Sequence, residues 1–431
     1  DVFNTLGLPT STTVSVIFSL LGASVVLAVY KVYVSGDGFD TLGNYINTEK
    51  ASEIVYSILL SVALSFALGS LVQYVSRLIF TFHIEKRYKY VAALFGGVAM
   101  TAITFFILVK GLKSITFVPS EVKDFIKESP FTIIAYSLIL WTIVCQLLIS
   151  VFKYSVFKFI IIVGTFGLAL AFAGNDLVNF IGVPIAAYQA FEIWAAPGQT
   201  VGATEFMMSG LEKENLPAPF IFLALAGLVM VYTLWTSKKA KSVIETEQNL
   251  SRQGEGNEKY NANTLSRNLV RAMMYLGNII SFILPKSLQR KLDAQFVQPE
   301  YTGKRDEQPM FDMVRASVNL IVASILISIG TSMKLPLSTT YVTFMVAMGS
   351  SFADRAWDRE SAVYRVAGVF NVIGGWFVTA LAAFLSSAII AYILFIGEVF
   401  AFFAFMIIVA IFFYRSNQIH KKKVKEEEEI K

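Results

Sequence analysis

The sequence is poor in the residues that stabilise or catalyse through sulfur and imidazole. Its 431 residues include one cysteine, Cys145, and two histidines, His83 and His420. A single cysteine cannot form an internal disulfide and leaves no cysteine-based metal site. Both histidines lie at the edges of apolar segments, which argues against zinc or haem chemistry. Disulfide-rich, zinc-binding and haem-binding classes are therefore not expected.

Charge is scarce as well. Asp, Glu, Lys and Arg make up 16% of the chain, against roughly a quarter in soluble domains, while 55% of the residues are hydrophobic. The mean hydropathy is +0.61, and a soluble protein could not bury so much apolar surface. The net charge of +5 arises in loops, so it fits membrane orientation and anionic headgroups. We expect an integral membrane protein that binds no nucleic acid.

Charge-free apolar runs mark the predicted membrane segments, since about 20 apolar residues cross a bilayer. Their residues do not alternate in polarity, so we expect a polytopic all-α fold and not a barrel. The segments are Val2–Tyr30, Ile54–Ser76, Val91–Val109, Ser129–Phe152, Phe159–Asn175, Leu177–Phe191, Asn215–Ser237, Ala316–Met333, Leu335–Ala353, Val366–Gly397 and Val399–Tyr414.

Loops and charge divide the chain into five predicted parts. Basic residues cluster in the central loop and the tail, which places both in the cytoplasm by the positive-inside rule. The parts are a first membrane repeat (1–152), the start of a second repeat (153–236), a cytoplasmic loop (237–310), the rest of the second repeat (311–414) and a charged tail (415–431). We expect the first repeat to be N-terminally incomplete, because its helix is already under way at Asp1.

The central loop contains one amphipathic pattern. Apolar residues recur at helical spacing between Leu265 and Ile283, among Arg267, Arg271 and Lys286. This pattern predicts an amphipathic helix. The sequence leaves open whether the helix lies on the inner leaflet, packs beneath the membrane domain or binds a partner.

A short segment near the start of the chain recurs in its last third at a constant offset. Leu8-Pro9-Thr10-Ser11-Thr12-Thr13 matches Leu335-Pro336-Leu337-Ser338-Thr339-Thr340, and Gly22 and Ser24 match Gly349 and Ser351. Identities at such fixed spacing indicate an internal repeat. Because basic loops lie inside, the first copy should end outside and the second inside, so we expect an inverted repeat.

Each copy of this segment has the chemistry of an interrupted helix. Proline removes a backbone donor, and the Ser and Thr residues after it are natural N-caps for a helix that restarts. A helix that starts at bilayer depth directs amide N–H groups and a positive dipole end into a protein cavity, because lipid cannot satisfy them. With the hydroxyl groups, this predicts an anion cradle. Its residues are Ser11, Thr12, Thr13, Ser338, Thr339 and Thr340.

One ionisable side chain, Asp176, interrupts the apolar stretch Phe159–Phe191. A carboxylate inside a bilayer is costly, so it marks a functional site by default. Asn175 adds an amide oxygen, and Asn179 lies one turn further on the same helix face. Oxygen ligands suit hard cations such as Na⁺. Gly174 should let the backbone bend or approach a ligand closely.

The motif Gly174-Asn175-Asp176-x-x-Asn179, together with the two Pro-x-Ser-Thr-Thr segments, resembles the inorganic phosphate transporter (PiT) family of sodium- or proton-coupled symporters. The resemblance extends from Asp1 to about Tyr414, excluding the central loop. It implies phosphate as the substrate of the hydroxyl cradle and Na⁺ or H⁺ as the coupling ion at Asn175, Asp176 and Asn179. It also implies alternating access between inverted repeats, a homodimer, no organic cofactor and a place in a bacterial inner membrane.

The sequence departs from the family pattern at one motif. A first Gly-x-Asn-Asp motif is absent, because it would lie upstream of Asp1, and at Gly174 the usual Gly-Ala order is reversed. We therefore expect the open reading frame to encode further membrane spans and an equivalent carboxylate before Asp1.

Other functions share some of these sequence features. A transporter of sulfate or another oxyanion would use the same cradle, and a structural membrane subunit would share the composition but not the duplicated motif. An intramembrane aspartyl protease needs two carboxylates that share a proton, and no second Asp lies in the middle of a predicted span. Lys334, beside the second motif, is expected to extend to the interface and not to bind the anion.

Overall fold

Regular structure in the described residues is entirely helical, which confirms the all-α prediction. The computed structural model describes residues 10–36, 38–82, 88–109, 119, 121, 124–125, 128–198, 201–202, 206, 208–212, 216, 218–236, 247–253, 261, 263–297, 311–333, 335, 337–356 and 359–430. The helices are α1 (Thr12–Ser35), α2 (Thr48–Ile79), α3 (Tyr88–Ile103, continued as a π-helix over Thr104–Val109), α4 (Pro130–Ser150), α5 (Val156–Ala195), α6 (Phe220–Thr236), α7 (Thr264–Ile283), α8 (Lys286–Gln295), α9 (Met313–Ser332), α10 (Thr339–Ala353) and α11 (Arg359–Ile430). The first residues of the segment predicted from Val2, with Pro9, Lys334 and Pro336, lie outside the described residues.

Most of these helices can cross a membrane. Among the described residues, six are long and apolar enough: α1, α2, α4, α5, α9 and the part of α11 over Ala362–Phe412. Shorter apolar helices cover Val91–Phe106 and Phe220–Thr236. The chain is thus a multi-pass membrane protein, as its composition predicts.

Helix α5 differs from its prediction. The sequence places two segments on either side of Asp176, but the structure joins them in one helix of 40 residues with Pro184 inside it. The helix is continuous through Gly174, and a Cβ built on this residue would meet nothing within 4 Å. The helix stays continuous because the polar residues Asn175, Asp176 and Asn179 find partners on other helices.

The predicted boundary between the last two segments is confirmed. Helix α11 is interrupted at Glu398, which has a φ of 44° and a ψ of −127°. This residue lies between the predicted segments Val366–Gly397 and Val399–Tyr414. The amphipathic helix predicted in the central loop is also present, as α7.

Helices α1 and α10, which carry the two copies of the repeat, point to opposite ends of the molecule. Tyr30, near the end of α1, packs edge-on against Tyr392 and Phe395, close to the interruption of α11 at Glu398. Helix α10 instead ends near the beginning of α11, where Arg365 donates a hydrogen bond to the Ala356 carbonyl. The repeat is therefore inverted, as predicted.

The helix that carries one copy of the repeat packs on the helix that follows the other copy of the repeat in the chain. Helix α1 packs along α11, and α10 packs along α2. The matched glycines lie at these crossings: a Cβ on Gly22 would overlap the Phe384 carbonyl oxygen, and one on Gly349 would overlap the Phe66 carbonyl oxygen. The identity of Gly22 and Gly349 in the sequence thus reflects one backbone-to-backbone crossing made twice.

These crossings generate a stability prediction. Gly22→Ala and Gly349→Ala should each lower the thermal unfolding temperature in detergent, since the added methyl group meets backbone and overpacking costs roughly 1–3 kcal/mol. Gly374→Ala, within α11, is the matched control, because a Cβ there meets nothing within 4 Å. Equal melting temperatures for all three variants would contradict the assigned crossings.

Candidate functional site

The polar turn of α5 lies at the middle of that helix. Asn175 is close to midway between Val156 and Ala195, the two ends of α5, so the turn lies near mid-membrane. Asn179 follows one turn later, which puts its side chain on the same face as that of Asn175. The site therefore begins with one carboxylate and two amides at a depth where water is scarce.

Helices α1 and α10 both begin at this turn. Ser11 caps α1 by accepting a hydrogen bond from the Val14 amide at 3.1 Å, and Ser338 caps α10 by accepting one from the Tyr341 amide at 3.1 Å. Both serines have extended backbone and are buried. The sequence-predicted caps are present, and two positive helix ends meet at the Asp176 turn.

The Asp176 carboxylate receives donors from its own helix and from α10. The Thr339 hydroxyl lies 3.2 Å from each carboxylate oxygen. The amide nitrogens of Asn175 and Asn179 lie 3.1 and 3.4 Å from Oδ1. The carboxylate is thus held between α5 and the first turn of α10.

The two asparagines connect the turn to α1 and to the break before α10. Asn179 donates to the Thr13 hydroxyl at 2.8 Å and lies 3.4 Å from the Thr12 hydroxyl. Asn175 lies 3.5 Å from the Thr13 hydroxyl and donates to the Leu337 carbonyl at 3.3 Å. Residues from three distant parts of the chain therefore meet within hydrogen-bonding distance.

The six hydroxyl residues of the predicted cradle occupy three kinds of position. Ser11 and Ser338 are used as caps, whereas Thr13 and Thr339 are buried and contact the α5 turn. Thr12 is exposed at the edge, and Thr340 is half-buried, with its carbonyl accepting a hydrogen bond from the Thr343 hydroxyl. Thr12 and Thr340 are therefore more accessible than Thr13 and Thr339.

A cavity of about 620 Å³ opens beside this site. Its lining comes mainly from α1 and α5 and includes Thr13, Leu20, Asn175, Asn179 and Ala186. It follows both helices from the polar turn toward the ends at Ser35 and Ala195. Gly174 lines it too, and the absence of a side chain there keeps this part of the cavity wide.

The opposite end of the molecule contains a buried ionic cluster that sequence reasoning missed. Arg77 donates to Asp354 at 2.6 and 2.7 Å and to Asp312 at 2.8 and 3.0 Å, and Gln73 donates to Asp354 at 2.9 Å. Arg315 lies 4.0 Å from Asp354. These charges stand at the ends of predicted spans, where charged loop residues are usual, so no pattern distinguishes them in the sequence.

This cluster joins the ends of α2, α9 and α10 and holds part of the central loop. Arg315 donates to the Ser251 carbonyl at 2.6 Å, and Arg365 donates to the Arg252 carbonyl at 2.7 Å. Leu250 is buried among residues of α10 and α11. The cavity beside the Asp176 turn thus extends toward the Ser35 end, whereas the Arg77 cluster lies at the other end.

Two inverted helices that begin at one polar turn of an apolar helix are typical of a membrane transport protein. The chain belongs to the phosphate transporter family, whose model matches residues 2–246. A search of curated proteins found no match.

One solved structure, described as "The sodium-dependent phosphate transporter", is similar to the chain with a TM-score of 0.52. The sequence identity is 15%, and the alignment covers 89% of this chain and 81% of that chain. At this identity the comparison supports the fold, which agrees with the predicted polytopic helical class.

The contacts at Asp176 generate a binding prediction. Thr13→Val and Thr339→Val each remove a hydroxyl without a large change of shape, so each should weaken phosphate binding by about 1–3 kcal/mol where the lost bond is not replaced. Thr343→Val is the control, because its hydroxyl bonds the Thr339 and Thr340 carbonyls within α10. Calorimetric titration with phosphate measures all three, and wild-type binding by Thr13→Val and Thr339→Val would contradict the site.

The ionic cluster generates a second prediction. Asp354→Ala should destabilise the protein by about 3–5 kcal/mol, because it leaves buried guanidinium groups without their partner. Asp293→Ala removes an ion pair with Arg355 that is 2.7 Å long and whose side chains are 51% and 63% exposed. That variant should change stability by at most about 1 kcal/mol. Denaturation in detergent measures the free energy of unfolding of both variants. Similar losses of stability in the two variants would contradict the difference between the buried cluster and the exposed ion pair.

Proposed function

We propose that the protein carries inorganic phosphate across the membrane by symport with Na⁺ and by alternating access. Asn175, Asp176 and Asn179 bind the cation, and the first turns of α1 and α10 bind phosphate through Ser11, Thr12, Thr13, Ser338, Thr339 and Thr340. The observation that carries the proposal is the meeting of two capped helix starts at one carboxylate.

The charge balance of the site supports coupling. Phosphate carries about one to two negative charges near neutral pH, and among the described residues no Lys or Arg side chain contacts Asp176. Hydroxyl groups and two helix dipoles offset only part of this charge. A cation at Asp176 offsets both the carboxylate and the phosphate, so neither ion enters the low-dielectric site cheaply alone.

The amide groups can supply ligands to that cation. Their nitrogens face Asp176 and Thr13, and rotation of an amide by half a turn presents its oxygen in the same place. Together with the Asp176 carboxylate this supplies oxygen ligands of the kind that Na⁺ accepts. A proton on Asp176 is the second candidate for the coupling ion, because a single carboxylate can carry it.

The proposed alternating access uses the cavity and the Arg77 cluster, which lie toward opposite ends of the molecule. The cavity beside α1 and α5 gives phosphate a route from the Ser35 end, while the buried Arg77 cluster holds the helix ends together at the other end. Movement of one repeat against the other would open the second route. We place the protein in a bacterial inner membrane as a homodimer, with the Arg77 end in the cytoplasm.

Transport into proteoliposomes tests the function. Wild-type protein should accumulate radiolabelled phosphate when a Na⁺ gradient is imposed without a pH gradient, and excess sulfate should not compete. Uptake driven only by a pH gradient would assign H⁺ as the coupling ion. Competition by sulfate would indicate a broader oxyanion transporter, and absence of any uptake would favour a structural subunit.

Asp176→Asn tests the cation site in the same assay. It should abolish Na⁺-driven uptake while the protein still inserts and folds, because it removes the carboxylate and keeps the side-chain shape. Asn175→Asp is a useful companion, since it adds a charge at the neighbouring position and should change Na⁺ dependence without restoring wild-type coupling. Wild-type uptake by folded Asp176→Asn would exclude the assigned role.

A further inference from the structure

Helix α7 of the central loop has three distinct faces. At about 100° per residue, Leu265, Leu269, Ile279 and Ile283 form one apolar stripe. Arg267 and Arg271 lie on roughly the opposite side of the helix from this stripe. Ser266 and Val270 lie between the stripe and the arginines and are buried.

The buried face fixes the depth of α7. Val270 packs against Ala362 and Val366 of α11. These two residues belong to the first turns of the apolar span Ala362–Phe412. Helix α7 is therefore attached at the level where that span begins, and hence at the edge of the bilayer.

Helix α8 is attached at the same end of the molecule. Phe296, directly after α8, stacks on Tyr74 of α2 with ring centroids 5.8 Å apart. Arg355 lies over the Phe296 ring at 4.4 Å and pairs with Asp293 of α8 at 2.7 Å. The pair α7–α8 is thus held at both ends against the membrane helices, which limits how far it can leave the bilayer surface.

The apolar stripe of α7 stays uncovered by the described part of the chain. Leu265 is 59% exposed and Ile283 is 74% exposed, and Phe282 next to Ile283 is 93% exposed. Leu269 and Ile279 are exposed as well. Large apolar side chains that follow the whole length of a helix at the bilayer edge need an apolar neighbour.

The charge of the segment identifies that neighbour. Residues 264–292 contain five basic side chains and no acidic one, namely Arg267, Arg271, Lys286, Arg290 and Lys291. This excess of positive charge repels a second copy of the same segment, whereas it attracts an anionic leaflet. An apolar stripe on a helix with basic residues is the arrangement of helices that lie in the membrane interface.

We propose that α7 and α8 form a membrane-surface anchor that binds anionic phospholipid. The stripe from Leu265 to Ile283 inserts at the level of the acyl-chain boundary, and the negative potential of the lipid phosphate groups attracts the basic side chains. The anchor is independent of the transport cycle proposed above, because it contains none of the residues of the Asp176 site.

Fluorescence of the full-length protein in lipid nanodiscs tests this anchor. Cys145→Ala removes the one native cysteine, and Ile283→Cys then carries an environment-sensitive NBD label on the stripe. In nanodiscs of phosphatidylcholine with phosphatidylglycerol, the label should emit at shorter wavelength and be quenched by doxyl-labelled lipid. Met274→Cys is the matched control, because Met274 is exposed on the opposite side of α7 and its label should stay in water.

Removal of charge tests the lipid preference. Arg267→Gln and Arg271→Gln should each lower the lipid-bound population about fivefold at low salt in phosphatidylglycerol nanodiscs. The same variants should make little difference in pure phosphatidylcholine. The melting temperature of each variant in detergent confirms that it is folded, since both arginines are exposed.

Three results would overturn the proposal. Equal signals from Ile283→Cys in anionic and neutral nanodiscs would exclude recognition of anionic lipid. A shift produced by free inorganic phosphate in neutral nanodiscs would assign the basic residues to the soluble anion. A label that becomes shielded in detergent as protein concentration rises would assign the stripe to contact between two copies.

Discussion

The structure depends on one half-buried carboxylate and on the two helix starts that meet it. Asp176 is held by the Thr339 hydroxyl and by the amides of its own turn, while Ser11 and Ser338 cap the helices that begin beside it. A charge at this depth is tolerable only with donors around it, and helix starts at this depth are tolerable only inside protein. The carboxylate therefore requires the donors of the helix starts, and the helix starts require a protein environment such as the Asp176 turn. The close crossings at Gly22 and Gly349 hold these helices in place.

Charged side chains have different kinds of partner at the centre of the molecule and at its Arg77 end. Around Arg77 the charges are paired, with two carboxylates bound to one guanidinium and further arginines bound to backbone carbonyls. Such pairs add little net stability but make the loss of one partner costly, so they fix which helix ends meet. At Asp176, by contrast, the donors among the described residues are neutral amide and hydroxyl groups. A site of this kind can accept and release a mobile cation, whereas a pair of fixed side chains cannot do so.

Much of this arrangement could be predicted from the sequence. The repeat at Ser11 and Ser338 indicated two capped helix starts, and the isolation of Asp176 indicated a functional site within the membrane. Sequence could not show which hydroxyl contacts which partner, because Thr339 and Thr340 differ only by their rotation around α10. The sequence-based prediction also divided α5 at Asp176, because a charged residue usually ends an apolar run. The partners that Asp176 finds on other helices cannot be read from the sequence. The Arg77 cluster was missed for a related reason: its members lie far apart in the chain and each stands at a span end.

The exchanged packing of the repeats has a consequence for how the chain is made. Gly22 of α1 packs against Phe384 of α11, and Phe66 of α2 packs against Gly349 of α10. Each of these early helices therefore contacts a helix that is synthesised much later. At roughly 5–20 residues per second, synthesis of the chain between Gly22 and Phe384 takes on the order of tens of seconds. During that time α1 and α2 are inserted without their native neighbours, and the polar turn of α5 follows them before either crossing exists. The α2–α10 crossing at Gly349 can therefore form only after α10 has been made, and the α1–α11 crossing at Gly22 only after α11 has entered the membrane.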